Sequence, residues 1–133
     1  MFFEPFKRLE AIGSKKNNLI IAIGPSIKGD KYQVDKKDVE DLTIQLTEKR
    51  FIGKSLCINK IKEEEIIPLF KKDSNSNKIL IDLQAAAILQ LFKEGIKQHQ
   101  IDINRICTYS NPNLFNSYKK DKTNSRLWSC IYS

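Results

Sequence analysis

The chain has 133 residues, 41% of them hydrophobic and 29% charged, with a formal net charge of +7. That is about one domain, with enough apolar residues to bury a core unaided. It excludes a membrane span, since no apolar run approaches roughly 18–20 residues, and a disulfide-built scaffold, since the cysteines are three, widely spaced and without a Cys-x-x-Cys pair. Met1-Phe2-Phe3 is followed at once by Glu4, Lys7 and Arg8, which predicts no secretory signal and a cytoplasmic protein. The lysines are scattered and alternate with acids, as in Lys62-Glu63-Glu64-Glu65, so the charge predicts no nucleic-acid partner.

Phe2, Phe3, Phe6, Leu9 and Ile12 follow helical spacing, with Gly13-Ser14 as the stop. Asn18 to Ile23 is a nearly continuous apolar run, the pattern of a strand covered on both faces, ended by Gly24-Pro25. Asp35 and Asp38 open a second helical pattern through Val39, Leu42 and Leu46 towards Gly53. Ser55 to Ile58 reads as a short strand, and Lys60 to Lys72 stays ambiguous because Pro68 interrupts it. Asp73 to Asn77 is a surface loop.

Ile79-Leu80-Ile81 leads to Asp82, read as a helix cap rather than a catalytic acid. Leu83, Ala86, Ala87, Leu91 and Phe92 then form the expected buried stripe of a helix ending at Gly95. Ile101 to Cys107 is expected as a strand and Asn111-Pro112-Asn113 as a turn. Lys119 to Ser125 reads as a basic loop, and Leu127 to Tyr132 as a last strand. Helices and strands alternate, which predicts a single α/β domain over 1–133: a mixed β-sheet flanked by helices.

Chemistry-bearing residues are few. The only histidine, His99, lies in a polar segment, so a zinc site of three or four converging ligands has no support from the residues. Cys57, Cys107 and Cys130 read as buried structural thiols, because no base, cation or metal stands beside them in sequence to lower a thiol pKa. Neither a P-loop nor a Gly-x-Gly-x-x-Gly pattern occurs.

Three segments together carry a resemblance. They are Ile23-Gly24-Pro25-Ser26-Ile27 with Tyr32 and Val34; Ile81-Asp82-Leu83-Gln84-Ala85-Ala86 with Gln90-Leu91 and Gly95; and Cys107-Thr108 followed by Phe115, Ser117-Tyr118-Lys119-Lys120-Asp121 and Arg126. In this order and spacing the chain resembles the laccase-domain, or multicopper polyphenol oxidase, family. The resemblance implies a zinc-dependent purine nucleoside phosphorylase with adenosine deaminase activity, zinc being the cofactor for which older descriptions gave copper.

By the same resemblance Ser117, Lys119 and Arg126 are candidate substrate-binding residues for a purine nucleoside and phosphate. Taken alone, the two cations read rather as a solvated basic loop, because lone basic residues in polar loops are usually solvated. The chain departs from the family pattern at Ala87, Lys119 and Ser125, where Asn, Arg and Gly are usual. The family's zinc ligands, two His and a Cys, lie upstream of the Ile-Gly-Pro segment and have no counterpart here. The resemblance is therefore to the C-terminal half, a fold incomplete relative to the family domain, expected to be inactive by itself. The alternative is a non-catalytic remnant or interaction module that pairs with itself, as a homodimer, or with a separate N-terminal fragment.

Overall fold

The computed structural model describes residues 3–39, 55–59, 64–122, 127 and 130. Helix α1 (Phe3–Ala11) carries Pro5 in its first turn, where no backbone donor is missed. It stops at Gly13, whose φ of +93° lets the Gly13 and Ser14 N–H groups turn back onto the Glu10 and Leu9 carbonyls. A 3-10 turn (Lys16–Asn18) follows, and then strand β1 (Ile21–Ile23), shorter than the apolar run from Asn18 suggests. After a second 3-10 turn (Gly29–Lys31) comes β2 (Gln33–Val34). Residues 36–39 are helical, as Asp35 predicts; the rest of that pattern, to Gly53, falls outside the described residues.

The ambiguous stretch around Pro68 resolves into strands. β3 (Ser55–Asn59) and β4 (Glu64–Pro68) pair antiparallel, and Pro68 ends β4 before β5 (Phe70–Lys72). β6 (Ile79–Ile81) leads into α2 (Leu83–Lys93), and β7 (Ile101–Ile103) follows a 3-10 turn at Gln98–Gln100. A single helical turn, α3 (Tyr118–Asp121), is the last element among the described residues. The sheets are mixed, as expected: β1 and β7 are parallel, whereas β6 lies between β2 and β5 antiparallel to both. Among the described residues no helix is long and apolar enough to cross a membrane.

α2 joins the layers. One core packs Ala85, Ala86 and Ile88 against Val39, Leu69, Phe70 and Ile81. A second places Leu91 with Phe6 of α1 and Ile96, and Ile23 and Ile101 of the parallel pair touch both cores. The buried stripe differs from the expected one: Leu83 is 39% exposed, while Gln84 is buried. The strand reading is corrected too. Ile21 and Ile23 face the helices, but Ile20 is 87% exposed and Ala22 is exposed, so the described residues cover β1 on one face only. The expected strand from Ile101 to Cys107 ends at Ile103: the Asn104 N–H makes the last ladder bond, to the Ile23 carbonyl, before the partner strand gives way to Gly24-Pro25.

Strands of three residues gain little from their own ladder. Two buried glutamines clamp this pair at its ends. At the start, Gln100 Nε2 donates to the Lys16 and Leu19 carbonyls, at 2.8 Å each, while its Oε1 accepts from Lys97 N–H. At the far end, Gln84 Nε2 donates to the Gly24 and Asn104 carbonyls at 2.6 and 2.7 Å. Gln84 Oε1 accepts from Arg105 at 2.6 Å, and Arg105 in turn forks onto Asp82, with Nη1 and Nη2 donating at 3.1 and 3.0 Å. Asp82 also caps α2 through Ala85 N–H at 2.9 Å and accepts from Gly29 N–H at 3.4 Å. The cap reading of Asp82 thus holds, and the same carboxylate is a junction that accepts four hydrogen bonds from three residues.

The junction makes two positions intolerant. A Cβ on Gly29 would lie 3.0 Å from Asp82 Cβ and 3.2 Å from its backbone. Gly29→Ala therefore forces backbone apart, and a loss of about 1–3 kcal/mol in urea denaturation is expected. The Asp82 and Arg105 side chains are 2% and 8% exposed, so Asp82→Ala strands a buried cation and lowers stability by roughly 3–5 kcal/mol.

The loop after β5 is built on Asp73, which accepts from Ser76 Oγ, Asn75 N–H and, at 2.7 Å, Gln33 Nε2. The Ser76 hydroxyl, then the Asn75 amide, hold its carboxyl below 3.8, with burial opposing and Gln33 assisting. A depressed carboxyl pKa contributes stability that is complete above the unfolded value and is lost as pH falls through the folded one. The stability advantage of the wild type over Asp73→Asn, measured from urea midpoints, is therefore expected to shrink from pH 6 to pH 3.

Candidate functional site

The three segments that carry the resemblance meet at the carboxyl ends of β1 and β7. Such ends of parallel strands are where open α/β folds place ligands. After Gly24-Pro25 the backbone runs beside the third segment. Ser26 and Cys107 form a parallel bridge, Thr108 N–H donates to the Ser26 carbonyl at 3.1 Å, and Lys28 N–H donates to Cys107 Sγ at 3.4 Å. The second segment joins through Gln84 on the Gly24 carbonyl and Asp82 on the Gly29 amide.

Cys107 is buried, as expected of a structural thiol. Its environment is more polar than the sequence suggests. Burial pushes the thiol up, but the Ser110 side chain and the backbone N–H groups of Lys28, Ser110 and Tyr109 outweigh it, leaving the thiol below 9.0. The Ser110 side chain and backbone amides, rather than a base or cation, lower it. Asn111 Nδ2 fixes the turn by donating to the Cys107 carbonyl at 2.8 Å.

Ser117 and Lys119 come together on α3; Arg126 lies outside the described residues. Ser117 is buried at the N-cap position, though its side chain makes no capping bond. The basic loop expected from Lys119 is helical up to Asp121, and Lys122 closes the turn at φ +55°. Lys–Tyr stacking explains the order. Lys119 Nζ donates to the Gln33 carbonyl at 3.2 Å and lies 5.3 Å from the Tyr32 ring centre. Lys120 lies 5.7 Å from the Tyr109 ring, and Lys122 5.2 Å from that of Tyr118. Each contact is worth about 0.5–1 kcal/mol at an exposed site; those on Tyr32 and Tyr109 tie α3 to the turns of the first and third segments, and that on Tyr118 closes the turn itself.

Arg105 and Gln84 were not legible as site-forming residues. Arg105 sits in an alternating segment where a cation reads as solvent-facing, and Gln84 stands where helix periodicity asks for a polar surface residue. Tyr109 carried no signal either. Among the described residues, no three His, Cys, Asp or Glu side chains converge to hold a metal. His99 is exposed. Cys57's side chain lies outside what is described, and Cys130 is exposed rather than buried, since neither Leu127 nor Cys130 lies in the strand expected there. In a Cys57→Ser background, a disulfide-exchange reagent is expected to label Cys130 at once and Cys107 slowly, both becoming fast in urea.

A family model described as multi-copper polyphenol oxidoreductase laccase matches residues 4–133. Among curated proteins, purine nucleoside phosphorylase slr1573 of Synechocystis sp. is 30% identical over 92% of this chain and 47% of its own length. Purine nucleoside phosphorylase YlmD of Bacillus subtilis is 28% identical over 85% of this chain and 34% of its own length. The chain thus spans about half the length of the first relative and about a third of the second. No solved structure matches it significantly. With the match reaching across nearly every residue and the segments that carry it converging at one end of the parallel pair, the chain belongs to the multi-copper polyphenol oxidoreductase laccase family.

Proposed function

We propose that the chain forms one wall of a purine nucleoside phosphorylase site, completed by the part of the family domain that it does not span. One observation carries this reading: relatives named purine nucleoside phosphorylase align over 85–92% of the chain. In phosphorolysis a phosphate oxygen attacks the anomeric carbon of the ribose while the bond to the purine nitrogen breaks. The purine leaves with a proton, and ribose 1-phosphate forms. Such a reaction needs donors on the phosphate throughout.

This chain's residues suit that task. Lys119 is held by the Gln33 carbonyl and the Tyr32 face. An ammonium has three donors, and a carbonyl takes one. In this proposal Lys119 grips phosphate as a point charge, not through the two-pronged fork of an arginine. Ser117 positions the start of α3, and Arg126 supplies a second cation. The described residues do not form the zinc site that the resemblance implies. Zinc dependence and adenosine deamination belong, in this proposal, to the assembled domain, acting in the cytoplasm. A second reading, a non-catalytic interaction module, is favoured by the same missing donor set and by the uncovered face of β1.

Hypoxanthine release from inosine and phosphate separates the readings. With zinc added, the chain alone is expected to stay at the blank rate. Co-expressed with the half of the Synechocystis relative outside the matched region, it is expected to turn over, and Lys119→Ala to raise the phosphate KM about tenfold, roughly 1.4 kcal/mol. An assembled pair that releases no base favours the module. Turnover by the chain alone, surviving His99→Ala, overturns the need for a completing half.

A further inference from the structure

β1 is an interior strand by sequence, and among the described residues it lies at an edge. Leu19 to Ile23 is apolar at every position. Ile21 and Ile23 are used against the helical layer, and one backbone edge is used by β7. The opposite face presents Ile20, 87% exposed, and Ala22, with Asp102 as its exposed register partner. Among the described residues, no strand pairs with the other edge of β1. An apolar strand with an open edge and an uncovered face is a template for another strand.

The relatives indicate what covers it. The Synechocystis protein aligns with 92% of this chain, yet more than half of its own residues lie outside the match. We propose that the outer edge and face of β1 form a docking surface for that other half of the family domain, which adds a strand beside β1 and covers Ile20 and Ala22. The proposal rests on the family reading above and names the surface through which the domain is completed. A second copy of this chain suits the surface less well. Each copy carries a net charge of +7, so pairing two copies brings like net charges together.

The test is co-purification of the 133-residue chain, co-expressed with the tagged outside half of the Synechocystis relative, followed by hydrogen exchange. A one-to-one complex is expected, in which the amides of Ile20 to Ile23 exchange at least about tenfold more slowly than in the chain alone. Ile20→Asp, at an exposed position that leaves the fold intact by thermal melt, is expected to weaken the complex about tenfold or more by burying a charge. Leu114→Asp, at another exposed apolar residue, leaves it unchanged. Binding indifferent to Ile20→Asp, no complex, or a homodimer that Ile20→Asp dissociates would each overturn the proposal. A complex that forms but releases no hypoxanthine leaves the docking surface standing and overturns only the phosphorylase reading.

Discussion

Most of this structure depends on one buried junction, the Asp82 carboxylate held between the Arg105 guanidinium, the Ala85 amide and the Gly29 amide. A buried ion pair is weak evidence of stability by itself, since desolvation opposes the attraction. What makes this one effective is that its spare hydrogen bonds are used. Arg105 extends to Gln84, Gln84 spans the Gly24 and Asn104 carbonyls, and no described buried side-chain nitrogen or oxygen is left without a partner. A fully satisfied polar network specifies one arrangement, because any displacement exposes several groups at once.

That arrangement determines where chemistry can occur. The junction fixes the start of α2, the turn at Gly29 and the exit from β7 with respect to one another. Cys107, Thr108 and Ser26 are thereby drawn to the ends of the parallel pair. α3 is held by a weaker kind of contact, lysines over tyrosine rings at the protein surface. The contrast is what the proposed binding wall needs: a rigid base made by buried polar bonds, with cations above it that, in that proposal, exchange an aromatic face for an anion.

Elements dictated by local chemistry were legible in the sequence. Gly13 and Gly95 stop helices because their φ values of +93° and +86° favour glycine, and Asp82 caps α2 because a short carboxylate reaches a free amide. Residues whose role depends on distant partners were not. Gln84 and Gln100 look like surface residues, yet each is buried because two carbonyls from chain segments far away in sequence need its donors. Leu83 and Ile20 look buried by composition and are exposed, one because Gln84 takes the inward place on α2, the other because the described residues cover β1 on one side only. The helical turn at Tyr118 was missed because its support, Tyr32 and Tyr109, lies in other segments.

The central claim is that Asp82, Gln84 and Arg105 act as one unit across three chain segments. Native-state hydrogen exchange on an Arg105→Met variant tests it most directly. Concerted loss of protection is predicted at Gly29, Ala85 and Asn104, whose amides donate to Asp82 and to the Ile23 carbonyl, while the Asp73 loop keeps its protection. Loss confined to the immediate neighbours of residue 105, with Gly29 and Ala85 unchanged, would contradict the account.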